Sequence, residues 1–315
     1  MKILIVGYFT EDSKSNIIRH FPEEWEVVIV PPGKEMLQHI KDCQIIIPEH
    51  IKVDSNLLSI AKKLKLVQTG AGFDNVDIDA CTKSGIWVAN AAGVNAQAVA
   101  EHVMALILSY YKNIPFLDAF MKNRMDENQL AYTGSELKGK TIGIIGLGAV
   151  GKKLAEFCKV FDMNVLAYAR NAVVHSDGFV KITDFDTLVN TSDIVSVHVS
   201  LNQQTKQLIN KAVFKKMKNT AIFINTARGG IVNERDLIDA LKNRDISGAC
   251  LDVFESEPLP IDSELRNFGN VILTPHTAGM PDGLKFHKKR YEFFVNNIKR
   301  VENGEEPESK LNQLL

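Results

Sequence analysis

The sequence predicts an α/β protein made of doubly wound parallel sheets. Three observations lead there. Short apolar runs recur along the 315 residues: "KILIVG", "EVVIVP", "QIIIP", "KLVQTG" and "GIWVANAA" come first, and "TIGIIGLG", "NVLAYA", "DIVSVHVS", "AIFINTARG", "GACLDVF" and "NVILTPHT" come later. Near-continuous apolar runs of this length belong to strands covered on both faces, as in parallel sheets. The segments between them, such as "KKLAEFCKVF" and "ERDLIDALKN", carry helical spacing, and repeated βα units give a doubly wound fold. Finally, "GLGAVG" places three glycines between a strand and a helix.

In chain order, "MKILIVGYFTED" reads as a first β-strand, because its apolar run is too short for a signal peptide and acids soon follow. Residues 96–113 read as a helix. It carries Glu101 and His102 and falls short of the roughly 20 apolar residues that span a bilayer. A polar, irregular stretch, "KNRMDENQLAYTGSELKGK", follows, and a fresh strand opens at Thr141. The last helix is expected over roughly 283–303, near Gly304. The expected division is a first domain of residues 1–100 plus 283–315 that binds substrate, and a dinucleotide-binding domain of residues 101–282. Helix 96–113 would cross between them.

Composition narrows the function classes. Lys+Arg (37) nearly balances Asp+Glu (38), which points to neither a nucleic-acid nor a membrane partner. The cysteines, Cys43, Cys81, Cys158 and Cys250, form no CxxC pair. They read as buried, reduced thiols of a cytoplasmic protein.

In "TIGIIGLGAVGKKLAEF" the glycines have separate tasks. Gly146 makes the tight turn, Gly148 lets a pyrophosphate approach the backbone, and Gly151 allows close packing of helix on sheet. The helix N-terminus offers unpaired N–H groups and partial positive charge to the phosphates. NAD enzymes usually end the next strand in an acid that holds the ribose hydroxyls and repels a 2′-phosphate. Here that strand ends in Ala169 and Arg170. Ala169 removes the repulsion, and Arg170 is of the type that pairs with a 2′-phosphate. NADP(H) is therefore favoured over NAD(H). The alternative is a solvated Arg170 and continued use of NAD.

Arg228, Glu257 and His276 each follow a strand expected to be parallel, where ligands bind in open α/β sheets. Together they suit the reduction of a 2-oxo acid. An imidazolium protonates the former carbonyl oxygen. A neighbouring carboxylate orients the ring and stabilises its charged form. A guanidinium grips the substrate carboxylate and polarises the carbonyl. Singly, each has an ordinary reading as a surface cation, a loop acid or a turn histidine. No metal is required.

The segments "GAGFDNVD", "NAQAVAEH", "GIIGLGAVG", "DIVSVHVSLNQQTKQLIN", "INTARGGIVNE", "LDVFESEP", "TPHTAG" and the tail Leu311–Asn312 together resemble the D-isomer-specific 2-hydroxyacid dehydrogenase family over nearly the whole chain. The resemblance implies two Rossmann-like lobes, an active site in the cleft between them, and a homodimer whose arm is sought around 114–135. It makes Arg228 the substrate arginine, Glu257 the partner of the histidine and His276 the acid/base. It also implies that backbone N–H groups near Ala71 and Gly72 hold the substrate carboxylate, and that Asn95 and Val99 lie at the cleft. Ala149 and Val150 would face the pyrophosphate. His198 and Val199 would lie beside the riboses, Thr226 would line the nicotinamide pocket, and Asp252 would contact the carboxamide. His102 and Glu101 read as structural.

Six positions refine the reading. Ser200 replaces a common proline, and Met280–Pro281 depart from the family's usual run. Gln68 stands where phosphoglycerate dehydrogenases carry a base, and Ala71 where phosphite dehydrogenase has lysine. Glu257 speaks against the formate dehydrogenase branch, which has glutamine there. The expected activity is reduction of a small unphosphorylated 2-oxo acid, such as glyoxylate or hydroxypyruvate, to a D-2-hydroxy acid. The alternatives are a dinucleotide-sensing regulatory protein of the same fold and a phosphoglycerate dehydrogenase-like enzyme.

Overall fold

The computed structural model describes residues 1–49, 51–123, 134–169, 178–280 and 284–314. The chain divides into two compact units, residues 1–95 with 281–315, and residues 96–280.

The first unit begins with β1 (Lys2–Val6), α1 (Glu11–Ile18), β2 (Glu26–Val30), α2 (Lys34–His39) and β3 (Ile45–Pro48). It continues through α3 (Ser55–Ile60), β4 (Leu66–Thr69), α4 (Ile78–Lys83) and β5 (Trp87–Asn90). The strands pair in the order β2-β1-β3-β4-β5, and every pair is parallel. The order reverses between β1 and β3, so the ligand crevice of such a sheet falls at their carboxyl ends. The interior of β1 and all of β3 and β4 are buried. Fully burying one Val, Leu or Ile side chain contributes about 1.5–3 kcal/mol, which explains why these short strands need no polar alternation. The helices start where side chains cap free N–H groups: Thr10 accepts from Ser13 N, Asp54 from Asn56 N and Leu57 N, and Asp77 from Ala80 N.

The second unit contains α5 (Ala96–Tyr111), α6 (Ile114–Lys122), β6 (Thr141–Ile145), α7 (Ala149–Val160), β7 (Asn164–Tyr168) and β8 (Val180–Ile182). Then come α8 (Phe185–Thr191), β9 (Ile194–Val197), α9 (Lys211–Phe214), β10 (Ile222–Asn225), α10 (Glu234–Lys242), β11 (Gly248–Leu251) and β12 (Val271–Leu273). The order β12-β11-β10-β9-β6-β7-β8 is parallel throughout. This is the dinucleotide-binding arrangement, reversing between β6 and β9. One face of the sheet packs on α5 and α7 through Val103, Ile107, Leu154 and Cys158. The other packs on α8, α9 and α10 through Leu188, Phe214 and Leu237. The α/β class with doubly wound parallel sheets is as the sequence predicts.

The helix expected over 96–113 stops at Tyr111. Asn113 takes a left-handed φ of 54°, Pro115 follows, and the helix restarts as α6 where the dimer arm is expected to begin. Proline cannot continue a helix but is well placed in a first turn.

The chain then adds α11 (Leu284–Glu302) to the first unit. Tyr291, Phe294, Ile298 and Val301 bury one stripe of it. The tail is tied to β5: Leu311 N donates to Val88 O at 2.7 Å, and Asn312 Oδ1 accepts from Val88 N at 2.9 Å. Among the described residues no helix is long and apolar enough to cross a membrane, and no cluster of acidic, His and Cys side chains suits a metal. All four cysteines are buried.

Candidate active site

Three consecutive strand ends of the second unit carry the candidate chemistry. Arg228 follows β10 and introduces a 3-10 turn, Gly229–Ile231. Asn225 shapes this bend: its Nδ2 donates to Arg228 O at 2.9 Å, and its Oδ1 accepts from Ala227 N at 3.0 Å. Arg228 Nη1 donates to Ala227 O at 2.7 Å. Gly229 is required by a close approach, because a Cβ there would lie 1.9 Å from Phe254 O. The Arg228 bend and the loop leading to Glu257 are thus pressed together, backbone on backbone. Glu234 and Glu255 tie them again: each carboxylate accepts from the other's backbone N–H, at 3.1 and 3.2 Å.

Glu257 and His276 form a close pair, with Glu257 Oε2 2.6 Å from His276 Nδ1. The other carboxylate oxygen accepts from Phe254 N at 3.0 Å. His276 has a φ of 55°, which costs a non-glycine residue about 1–3 kcal/mol and persists only where the surroundings impose it. Asp252 imposes it here. Its buried carboxylate accepts from Thr274 Oγ1 at 2.6 Å, Thr277 N at 2.8 Å and Ala278 N at 2.9 Å, bracketing the histidine. His276 N in turn donates to Asp252 O at 2.8 Å. His102 Nε2 lies 3.0 Å from Thr274 Oγ1 and 3.7 Å from Asp252 Oδ1, which steadies the same loop from α5.

The electrostatics follow from this geometry. The hydrogen bond with Glu257 raises the His276 pKa above its ordinary value against the opposing effect of partial burial, while the Arg228 charge holds it back. Burial pushes the Glu257 carboxyl up, but the bonds from His276 and Phe254 N–H and the charges of His276 and Arg228 outweigh it, so its pKa is lowered. The pair therefore favours imidazolium with carboxylate. With Nδ1 committed to Glu257, Nε2 is the ring nitrogen left to exchange a proton.

The glycine loop lies at the carboxyl end of β6 in the same sheet. Gly146 has a φ of 104°, and a Cβ there would sit 2.5 Å from His198 O. A Cβ on Gly151 would meet Gly146 O at 2.2 Å, which fixes the contact of helix and loop. Gly148 faces open space and caps α7 without a side-chain bond, so the first N–H groups of the helix are available to an anion. Ala149 and Val150 form the first turn of α7 and do not belong to the loop. Burial pushes the His198 pKa down to about 4, so the ring is neutral at pH 7, with Nε2 2.8 Å from Ser196 Oγ. Val199 packs beside Gly146, and a Cβ on that glycine would lie 2.8 Å from Val199 Cγ1.

Thr226 is buried, and its Oγ1 has no hydrogen-bond partner among the described residues. Such an orphan is what a polar ligand would satisfy. Val99 is buried in the apolar core of the second unit. Ala169 follows β7 and packs against that core. Arg170 lies outside the described residues, as do residues 124–133 of the expected dimer arm.

Ala71 and Gly72 follow β4 in the first unit, where Ala71 O accepts from Asn90 Nδ2 at 2.9 Å. Gln68 is fully buried. Its amide donates to Thr69 O and Ala89 O and accepts from Asn297 Nδ2 at 2.8 Å, so this position presents nothing to a ligand. Sequence reading missed three contributors: Gly229 as the contact between two active loops, Asp252 as the clamp on the histidine loop, and Glu234 opposite Glu255. "RGG" was the one available signal for the first. Asp252 was singled out for a different task.

Comparison with known proteins identifies the family. The model of the D-isomer specific 2-hydroxyacid dehydrogenase NAD binding domain matches residues 104–278. A glyoxylate reductase of Thermofilum pendens is 38% identical over 306 residues, covering 95% of this chain and 88% of that one. A D-3-phosphoglycerate dehydrogenase of Archaeoglobus fulgidus is 40% identical over 283 residues, or 88% of this chain, but this chain spans only 53% of that longer protein. Among solved structures, an NAD-dependent formate dehydrogenase of Staphylococcus aureus, in complex with NAD, superposes with a TM-score of 0.87 at 29% identity, covering 99% of each chain. These matches support a nicotinamide dinucleotide as the cofactor, and the open Gly148 cradle and the orphaned Thr226 hydroxyl fit one. The chain belongs to the D-isomer-specific 2-hydroxyacid dehydrogenase family, a family of NAD-dependent oxidoreductases.

Proposed function

We propose that this chain reduces a small unphosphorylated 2-oxo acid, such as glyoxylate or hydroxypyruvate, to the D-2-hydroxy acid, with NADPH preferred over NADH. The observation that carries the reading is the His276–Glu257 pair, 2.6 Å apart, with the Arg228 charge acting on both members. The overall change is 2-oxo acid plus NAD(P)H plus a proton to 2-hydroxy acid plus NAD(P)⁺.

The bound dinucleotide would supply the hydride to the carbonyl carbon. It would be held by the N–H groups behind Gly146, Gly148, Ala149, Val150 and Gly151, with Val99, His198, Val199, Thr226 and Asp252 around it and Ala169 beside the adenosine ribose. The protein residues do the rest. Arg228 binds the substrate carboxylate and polarises the carbonyl; the family resemblance assigns carboxylate binding to the N–H groups at Ala71 and Gly72 as well. His276 Nε2 delivers its proton to the carbonyl oxygen, and Glu257 holds the ring and stabilises the charge it carries beforehand. In reverse, neutral His276 takes the hydroxyl proton.

The preference for NADPH rests on Ala169, a small uncharged residue where an acid would repel a 2′-phosphate. The unphosphorylated substrate rests on Gln68, whose amide is committed inside the fold. That position weighs against a phosphoglycerate dehydrogenase-like activity. A homodimer is supported by α6, which buries none of its own residues and leaves Ile114, Phe116 and Met121 at least half exposed. Sedimentation should give twice the chain mass, and a monomer at micromolar concentration would remove this part.

The deciding experiment is cofactor oxidation with a panel of 2-oxo acids, run with NADPH and NADH in parallel. Turnover of glyoxylate or hydroxypyruvate, faster with NADPH, is expected. Tight cofactor binding without turnover of any acid would replace the enzyme with a dinucleotide sensor.

A further inference from the structure

Arg290 and Glu49 form an ion pair in the first unit that the catalytic chemistry does not use. Glu49 directly follows β3, and Arg290 lies on α11, 241 positions away in sequence. Arg290 Nη2 donates to Glu49 Oε1, and both side chains are largely buried, with 14% and 17% exposed. The guanidinium lies over the rings of Phe294 and Tyr291, at 5.1 and 5.8 Å from their centroids.

Three observations set this pair apart. Glu49 sits at the carboxyl end of β3, at the β1/β3 reversal of the sheet, where open α/β sheets bind their ligands. The guanidinium also lies against the turn that contains Ala71 and Gly72. A Cβ built on Gly70 would be 3.2 Å from Arg290 Nη2, 3.5 Å from Cζ and 3.8 Å from Nε. The edge formed by Nη2 and Nε therefore borders Gly70, and glycine is the residue that leaves it room. Lastly, Arg290 Nε is buried with no hydrogen-bond partner among the described residues. A buried donor without a partner is rare and calls for a reason.

We infer that the Glu49–Arg290 pair is a charge filter for the tail of the substrate, admitting 2-oxo acids with an uncharged or hydroxyl tail and rejecting those with a second anionic group. The inference rests on the reading that the Ala71–Gly72 turn holds the substrate carboxylate. With that carboxylate on the turn, the tail extends toward the neighbouring strand end. Glu49 already neutralises Arg290, so a second anion finds no free cation and meets a carboxylate instead. Its desolvation would go uncompensated. Removing the Glu49 carboxylate alone would leave Arg290 Nη2 without its anion, a cation for a second carboxylate to meet.

The test is Glu49→Gln, compared with the wild type for glyoxylate and hydroxypyruvate against oxaloacetate and 2-oxoglutarate. The kcat/KM of the dianionic acids relative to the monoanionic ones should rise roughly tenfold or more. The double variant Glu49→Gln/Arg290→Met, which lacks both charges, should lose that gain. Calorimetric binding of glycolate and D-malate to the wild type and variants loaded with NADPH, which gives a 2-hydroxy acid no hydride acceptor, reads the same discrimination without turnover, and the wild type alone should bind malate at least about tenfold more weakly. Equal affinity of the wild type for the two acids, or an unchanged ratio in Glu49→Gln, overturns the filter even if every acid is reduced. A protein that turns over no 2-oxo acid ends the reductase reading, while the calorimetric ratio still decides the filter.

Discussion

Substituting Gly229 by alanine tests whether the Arg228 bend and the Glu257 loop work as one unit. The new methyl group would lie 1.9 Å from Phe254 O, 2.0 Å from its carbonyl carbon and 2.5 Å from Glu255 N. Ordinary contact begins at 3.4 Å, so one of two backbone segments must retreat by about 1.5 Å. Neither is a flexible side chain. Phe254 N also donates to Glu257 Oε1, so the displacement reaches the carboxylate that orients His276. A misplacement of about 1 Å in a catalytic constellation costs on the order of 10²-fold in rate, which corresponds to about 2.7 kcal/mol of transition-state stabilisation. Steady-state kinetics should therefore show kcat/KM down by about 10²-fold, with dinucleotide affinity within about threefold of the wild type, because the glycine loop lies on other strand ends. A lowered Tm should accompany the loss, since overpacking costs roughly 1–3 kcal/mol. A variant that is folded and reduces 2-oxo acids within about threefold of the wild-type rate would refute the coupling.

Other outcomes follow from the same geometry. Gly148→Ala meets nothing within 4 Å in the protein, so its Tm should match the wild type. Its methyl group would crowd a bound pyrophosphate, and the dinucleotide Kd should rise by about tenfold or more in a direct titration. Arg170→Ala should raise the KM for NADPH and spare that for NADH, and equal effects on both would sink the NADP preference. Asp252→Asn keeps the shape but replaces one carboxylate oxygen by an amide donor facing the loop N–H groups. It should lower kcat while circular dichroism reports a folded protein.

Much of this was readable from sequence because the signals were local. The buried strands are unbroken apolar runs, and the glycine loop carries its strand and helix with it. Arg228, Glu257 and His276 each follow a recognisable strand. What escaped notice depends on distance or on brevity. α2, α3 and α4 are six residues each, too short to show a period. β8 has three residues and no run to see. α6 is apolar and little buried, so its pattern does not distinguish it from a loop. Gly229 is one of 20 glycines, and only the approach of Phe254 separates it from a plain turn. His102 meets Thr274 across 172 positions, and Arg290 meets Glu49 across 241. A single sequence carries no mark of such pairs.

The claim at the centre is that Glu257 keeps His276 charged so that it can donate. The pH dependence of the reductive kcat, measured in the wild type and in Glu257→Gln, addresses it directly. Reduction needs the imidazolium, so the wild-type rate should fall as pH rises through a histidine pKa held above its ordinary value. Loss of the carboxylate should move that falling limb to lower pH and reduce the plateau. A limb that stays in place in Glu257→Gln, or a wild-type rate that rises where the imidazolium is lost, would contradict the account.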